Sequence, residues 1–211
     1  MCAACAGFGT VLPVYRRPAS EMWSEPAQCQ SAADLMHVKR DCWHSENYPP
    51  ISIGRASLVA LYGAPGAGKT VMLLKLLDGI VGAVLLLSVE EGLSTGMVSK
   101  LQWLEIQRPD FFLAHARTLS EIDALVGQHN VIALGIDSLS VSTLSLDDLL
   151  RMRNALRLPI FFTLHIRKDG LVAGEMALMH GTDIVIRVDA MQWAVEKSRF
   201  SGLVSGSVLS M

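Results

Sequence analysis

From residue 56 onward the chain alternates short, continuous apolar runs with amphipathic stretches. An unbroken apolar run of about 4–8 residues fits a strand buried on both faces, and an amphipathic stretch of about 10 or more fits a helix covering it. The pattern predicts strands over 56–62, 83–89, 111–116, 131–136 and 159–164. Between them it predicts helices over 69–77, 95–104, 119–127 and 146–156. A helix over 174–180 and strands over 184–188, 191–196 and 204–209 complete the series. Such alternation implies an α/β fold: a mainly parallel sheet, helices on both faces, and antiparallel strands at the C-terminal end. Residues before position 50 show polar and aromatic side chains in no period, and Asn47-Tyr48-Pro49-Pro50 reads as a boundary. The expected division is an N-terminal extension over 1–51 and one domain over 52–211.

Composition narrows the class. Of 211 residues, 51% are hydrophobic and 18% charged, which suits a packed core and argues against a disordered chain. With 18 basic against 20 acidic side chains there is no global basic field, so any grip on nucleic acid has to come from a local basic loop. The longest apolar run, Ile80 to Val89, is broken by Gly82 and Ser88. It is far shorter than the roughly 18–20 residues of a membrane span, so no membrane partner is expected. Residues 2–14 are apolar, but Arg16 and Arg17 follow them and no basic residue precedes them. That is the reverse of a secretory leader, and the expected location is cytoplasmic. The cysteines Cys2, Cys5, Cys29 and Cys42 all fall near the start of the chain. Cys2-Ala3-Ala4-Cys5 has the spacing that lets two thiolates face one Zn²⁺, and His37 and His44 are the further donors at hand. A second cysteine pair of that spacing is missing, and free thiols in a loosely packed arm are the competing reading.

The strongest chemical signal is Gly63-Ala64-Pro65-Gly66-Ala67-Gly68-Lys69-Thr70, which fits G-x-x-x-x-G-K-[ST] between a predicted strand and a predicted helix. In that context glycine backbone N–H groups wrap phosphates, Lys69 reaches the outer phosphates of ATP, and Thr70 joins a Mg²⁺ shell. The run Val131–Ile136 leads into Asp137-Ser138, so Asp137 is the expected carboxylate of the Mg²⁺ site, acting from behind its direct ligands, with a helix N-cap as its alternative. The strand over 83–89 ends in Glu90-Glu91 and is expected to neighbour the P-loop strand. Glu90 is the candidate base for an attacking water, and Glu91 is the alternative.

These pieces resemble the RecA-like P-loop ATPases, and within them the ATPase core of the bacterial RadA (Sms) DNA-recombination proteins. The resemblance rests on Leu86-Leu87-Ser88-Val89-Glu90-Glu91, near that family's V-S-G-E-E-S, and on Ile136-Asp137-Ser138. It rests further on the run from Leu164 to Asp183, near G-H-V-T-K-E-G-x-I-A-G-P-x-x-L-E-H-M-V-D, and on Lys197-Ser198-Arg199-Phe200, near K-N-R-F-G. It covers residues 52–211 and implies a RecA-like fold that hydrolyses ATP with Mg²⁺ as a homo-oligomeric ring or filament on single-stranded or branched DNA.

Residue by residue, the resemblance makes His165 a sensor of nucleotide state, with an ordinary strand-end histidine as the alternative. Arg167 and Lys168, flanked by Gly170 and Gly174, become a DNA-gripping loop, with two solvated charges as the alternative. Lys197 and Arg199, expected on one face of a late strand, become a finger reaching the neighbouring subunit's γ-phosphate, with a solvated strand face as the alternative. His180 and Asp183 match the family and imply only packing at a helix end.

The departures bear on DNA. The family opens with a four-cysteine zinc finger and ends with a Lon-protease-like domain, whereas this sequence holds one C-x-x-C and stops where that last domain would start. The loop after Asp137, over Leu139–Ser145, is short and holds no basic residue, and Ser198 and Ser201 replace the asparagine and glycine of K-N-R-F-G. A RecA-like ATP-binding switch acting on a protein partner without DNA is therefore the second reading.

Lys69→Ala is expected to abolish nucleotide binding or turnover, because no other cation in the loop can replace its charge. Titration with a fluorescent ATP analogue and a phosphate-release assay check this. Wild-type affinity and rate in the variant would contradict the assignment of the loop.

Overall fold

Leu58–Gly63 (β3) is apolar along almost its whole length and buried on both faces, so it takes an interior position in the sheet. The computed structural model describes residues 42–166 and 180–209. Its elements, in chain order, begin with β1 (Cys42–Ser45), β2 (Tyr48–Gly54), β3, α1 (Lys69–Asp78), β4 (Val84–Ser88), α2 (Thr95–Trp103) and β5 (Phe111–Ala114). They continue with α3 (Leu119–His129), β6 (Ala133–Asp137), a 3-10 turn (Leu139–Val141), α4 (Leu146–Leu156) and β7 (Ile160–His165). The last are β8 (Ile184–Asp189), β9 (Gln192–Ser198) and β10 (Ser205–Ser207).

Eight strands form one sheet in the order β10-β9-β8-β3-β7-β6-β4-β5. Strands β3 to β8 run parallel, and β9 and β10 close the sheet antiparallel. Alternate residues of each strand face two separate cores, as the two-residue side-chain period requires. One core joins Val59, Leu61, Ile186 and Val188 to Met72, Leu73 and Leu76 of α1 and Met97 of α2. The other joins Ala60, Leu134 and Phe162 to Ile122 and Val126 of α3 and Leu149 and Met152 of α4. The helices cover both faces, and the α/β architecture expected from the sequence, a mainly parallel sheet closed by antiparallel strands, is the one observed. Among the described residues no helix is long and apolar enough to cross a membrane.

Two features depart from the sequence expectation. The first is the hairpin of β1 and β2, which the aperiodic pattern before residue 50 did not indicate. Pro49 and Pro50 read as breakers, yet they fall in a register irregularity between Tyr48, opposite Ser45, and Ser52, opposite His44. No ladder N–H is required there, so proline is tolerated. The hairpin puts Tyr48, Ile51 and Ile53 into the α1 core. Glu46 N–H donates to Gly79 O at 2.8 Å, and Asn47 Nδ2 donates to Lys75 O at 2.7 Å beside the Gly79 N–H, which ties the hairpin to the end of α1. The second departure is strand order. The strand ending at Glu90 does not neighbour the P-loop strand: β4 pairs with β6 and β5, and β6 and β7 lie between it and β3. Periodicity identifies strands but carries no information about which of them pair.

Gly63 ends β3 under the next strand: a Cβ built there would lie 2.0 Å from the Val188 carbonyl oxygen. Gly63→Ala should therefore cost roughly 2–3 kcal/mol, because backbone has to shift to relieve the overlap. Gly66, at φ +77 with nothing within 4 Å of a built Cβ, should cost only about 1 kcal/mol when changed to Ala. Urea unfolding of the two variants checks the order, and equal losses would contradict it.

Candidate functional site

The turn from β3 into α1 places its groups by backbone geometry. Gly66 and Gly68 take φ of +77 and +104, which side chains with a Cβ disfavour. Helices α2, α3 and α4 are capped by Ser94, Thr118 and Ser145, whereas no described side chain caps the start of α1 and no acidic residue lies in its first turn. The first N–H groups of α1 are thus left for an anion. Lys69, only 5% exposed, folds back so that Nζ donates to Gly63 O at 3.0 Å and Ala64 O at 2.9 Å. Burial lowers its pKa, while the charges of Asp137 and Glu90 act in the opposite direction. Met191, in the β8–β9 turn, closes the site from the side: its N–H donates to Ala67 O at 3.0 Å, and its sulfur occupies the space a Gly68 Cβ would need.

Asp137 gathers the remaining groups. It is 2% exposed at the end of β6. Its Oδ1 accepts from Thr163 Oγ1 at 2.7 Å, and its carboxylate also hydrogen-bonds Thr70. Burial raises its pKa, and these two hydroxyls partly offset that. Its backbone carbonyl accepts from Val89 N–H at 2.7 Å and Glu90 N–H at 3.1 Å, which fixes the start of the loop carrying Glu90. Glu90 Oε2 then meets His165 Nε2 at 3.0 Å, so Glu90 reaches the site across the end of β7. Glu91 turns away and pairs with Lys100. His165 lies opposite Gly63 in the β3–β7 ladder, and its backbone N–H donates to Ser140 Oγ at 3.0 Å. Three buried polar atoms here, Ser88 Oγ, Ser138 Oγ and His165 Nδ1, have no hydrogen-bond partner among the described residues. An uncapped helix start, a buried lysine and a Thr–Asp pair are a donor set that fits a nucleotide triphosphate with Mg²⁺.

Lys197 and Arg199 lie at the other end of the sheet. Lys197 lies on β9, Arg199 lies one residue past its end at Ser198, and both side chains reach the segment 180–183. Lys197 Nζ donates to His180 O at 2.9 Å and Thr182 O at 2.7 Å. Arg199 Nη1 lies 3.1 Å from Asp183 Oδ1. Arg167, Lys168, Gly170, Gly174, Cys2, Cys5, Cys29 and His37 lie outside the described residues. Within the described residues no cluster of three or more metal-ligating side chains occurs. Thr163, Ser140, Met191 and Asp183 were not singled out as site residues with a chemical role. Only Thr163 had a local signal, as the one polar residue inside the apolar run from Ile160 to Leu164.

No family profile matches the chain. Among curated proteins it is similar to the DNA repair protein RadA of Helicobacter pylori, 28% identical over 152 residues, which are 64% of this chain and 34% of that protein. It is similar to RadA of Bacillus subtilis at 27% over 150 residues, 63% of this chain and 32% of that protein. RadA of Campylobacter jejuni matches at 28% over 188 residues, 78% of this chain and 42% of that protein. The chain thus spans about a third of the length of the first two relatives. Among solved structures it matches the flagellar accessory protein FlaH from Methanocaldococcus jannaschii, with TM-score 0.49 and 14% identity, covering 72% of this chain and 84% of that one. Over this region the chain resembles the RadA proteins.

Tyr62, one residue before Gly63, donates its hydroxyl to Glu196 Oε2, whose partner Oε1 lies 3.3 Å from Arg187 Nε. Burial and then Glu196 push the Tyr62 pKa up to about 12. The neutral phenol is favoured in the folded state, so its contribution is complete below pH 10 and is lost as pH rises from 10 to about 12. Tyr62→Phe should flatten that part of the stability profile relative to wild type, as read by urea unfolding across the interval. Parallel profiles would contradict the contact.

Proposed function

We propose that this chain is the nucleotide-hydrolysing core of a RecA-like ATPase that works as an assembly on DNA, in recombination or repair. The observation that carries the ATPase reading is the uncapped start of α1 beside buried Lys69, facing the Asp137 carboxylate. ATP would lie with its phosphates on the first N–H groups of α1, and Lys69 would exchange the carbonyls of Gly63 and Ala64 for phosphate oxygens. Thr70 and Asp137 are the residues to hold Mg²⁺, which when bound neutralises phosphate charge. Glu90 accepts the proton of the attacking water, held in place by His165 through Nε2. Arg199, and with it Lys197, would complete the site of a neighbouring subunit. This pair stands at the amino end of β3, roughly 17 Å from its own P-loop at about 3.3 Å per strand residue.

The DNA part of the reading is supported by the similarity to RadA proteins and by the matching run around Arg167 and Lys168. The second reading, a nucleotide-dependent switch acting on a protein partner, is favoured by the loop Leu139–Ser145, which has no basic residue, and by the net charge of -2.

Hydrolysis measured with and without single-stranded DNA, across a salt series, separates the two. A rate stimulated by DNA, with stimulation falling steeply as salt rises, is the expected result. A rate indifferent to DNA favours the switch. In the same assay Glu90→Gln should retain ATP and lose turnover by at least about a hundredfold, since the amide keeps the shape without the basicity. If Glu91→Gln is the inactive variant instead, the base is misassigned.

A further inference from the structure

At the amino end of the sheet a single buried carboxylate organises the segment that carries Arg199. Asp183 is 5% exposed and precedes the apolar run of β8. Its backbone is tied on both sides: its N–H donates to Leu58 O at 2.9 Å, and its carbonyl accepts from Arg199 N–H at 3.1 Å. The carboxylate divides its oxygens. Oδ2 accepts from Leu58 N–H at 2.9 Å and has Arg153 Nη1 of α4 at 3.7 Å, whereas Oδ1 faces Arg199 Nη1 at 3.1 Å. The Leu58 N–H could be satisfied by any neutral acceptor; the charge is needed only for the two guanidinium groups.

Resting on the proposed function above, we infer that Asp183 is a positioning residue that aims Arg199 at the nucleotide of a neighbouring subunit. The Arg199 side chain is 57% exposed while one of its terminal nitrogens is held, so the rest of its planar fork of donors faces outward in a restrained direction. Restraint matters because a free arginine loses rotamer freedom on engaging phosphate, and a guanidinium already held loses less. The flanking segment is held as well. Ser198 Oγ accepts from Phe200 N–H at 3.1 Å and Ser201 N–H at 3.0 Å, and the Phe200 ring fills the space where a Gly54 Cβ would stand, 2.5 Å from Cζ. Lys197 is bound differently. Its ammonium is turned onto the carbonyls of His180 and Thr182, and burial lowers its pKa. Of the two cations Arg199 is therefore the one presented outward.

The test is subunit mixing. Lys69→Ala chains keep the finger and lose the P-loop, while Arg199→Ala chains do the reverse, so mixed assemblies should recover hydrolysis. Asp183→Asn is then added to one partner at a time. Asn retains an acceptor for Leu58 N–H and removes the charge. In the finger-donating Lys69→Ala chain it should lower the recovered kcat about tenfold, the size typical for loss of an orienting partner. In the Arg199→Ala chain it should change the recovered rate and ATP affinity less than about twofold, and this arm also serves as the folding control. Equal loss in both arms, or loss in neither, overturns the inference and leaves Asp183 a structural staple. If unmodified mixtures recover nothing, the trans reading itself fails and the inference falls with it, a result seen before any Asn is introduced. Should the Asn chain not fold, Asp183→Glu, which keeps charge but displaces it, takes its place with the same asymmetric outcome expected.

Discussion

The arrangement depends on the end of β6, where Asp137 is bonded to three other parts of the chain at once. Its carbonyl holds the N–H groups of Val89 and Glu90 after β4, and its carboxylate takes the hydroxyls of Thr163 on β7 and Thr70 on α1. A carboxylate this buried is costly unless hydrogen-bonded, and the hydroxyls of Thr163 and Thr70 meet that need. The consequence is functional. The candidate metal ligand, the candidate base and the first turn of α1 are fixed relative to one another by one residue. Glu90 needs no strand adjacent to β3, because the Asp137 carbonyl sets where its loop starts and His165 receives its side chain.

The sheet then acts as a spacer. β3 connects Leu58, hydrogen-bonded to Asp183, with Gly63 at the P-loop, so one strand joins the candidate nucleotide site to the anchor of Arg199. The two groups that phosphate transfer would need lie at opposite ends of that strand. Charge developing on a γ-phosphate at the P-loop therefore lacks its own chain's Arg199, and the separation gives a physical reason for assembly.

Much of this was legible in the sequence. The glycine-lysine loop, Asp137 after an apolar run, and Glu90 after another are local patterns whose chemistry follows from residue type and position. The β1–β2 hairpin was not legible, because Pro49 and Pro50 signal a break and the register irregularity that admits them is a property of the pairing. Strand order was not legible either: β4 looks the same whether it pairs with β3 or β6. The sequence context of Asp183 indicates only packing at a helix end. Its partners, Leu58, Arg153 and Arg199, are scattered along the chain, and nothing in its own neighbourhood marks the role.

The central claim is that one subunit binds the nucleotide and another completes the site. It is tested most directly by the rate of ATP hydrolysis per chain as a function of protein concentration, followed alongside the size of the assembly by light scattering. The rate per chain is expected to rise with concentration in step with assembly, and to stay low in Arg199→Ala however concentrated the protein. A rate per chain that is flat from dilute monomer upward, and unchanged in Arg199→Ala, would mean that the site is complete within one subunit and would contradict it.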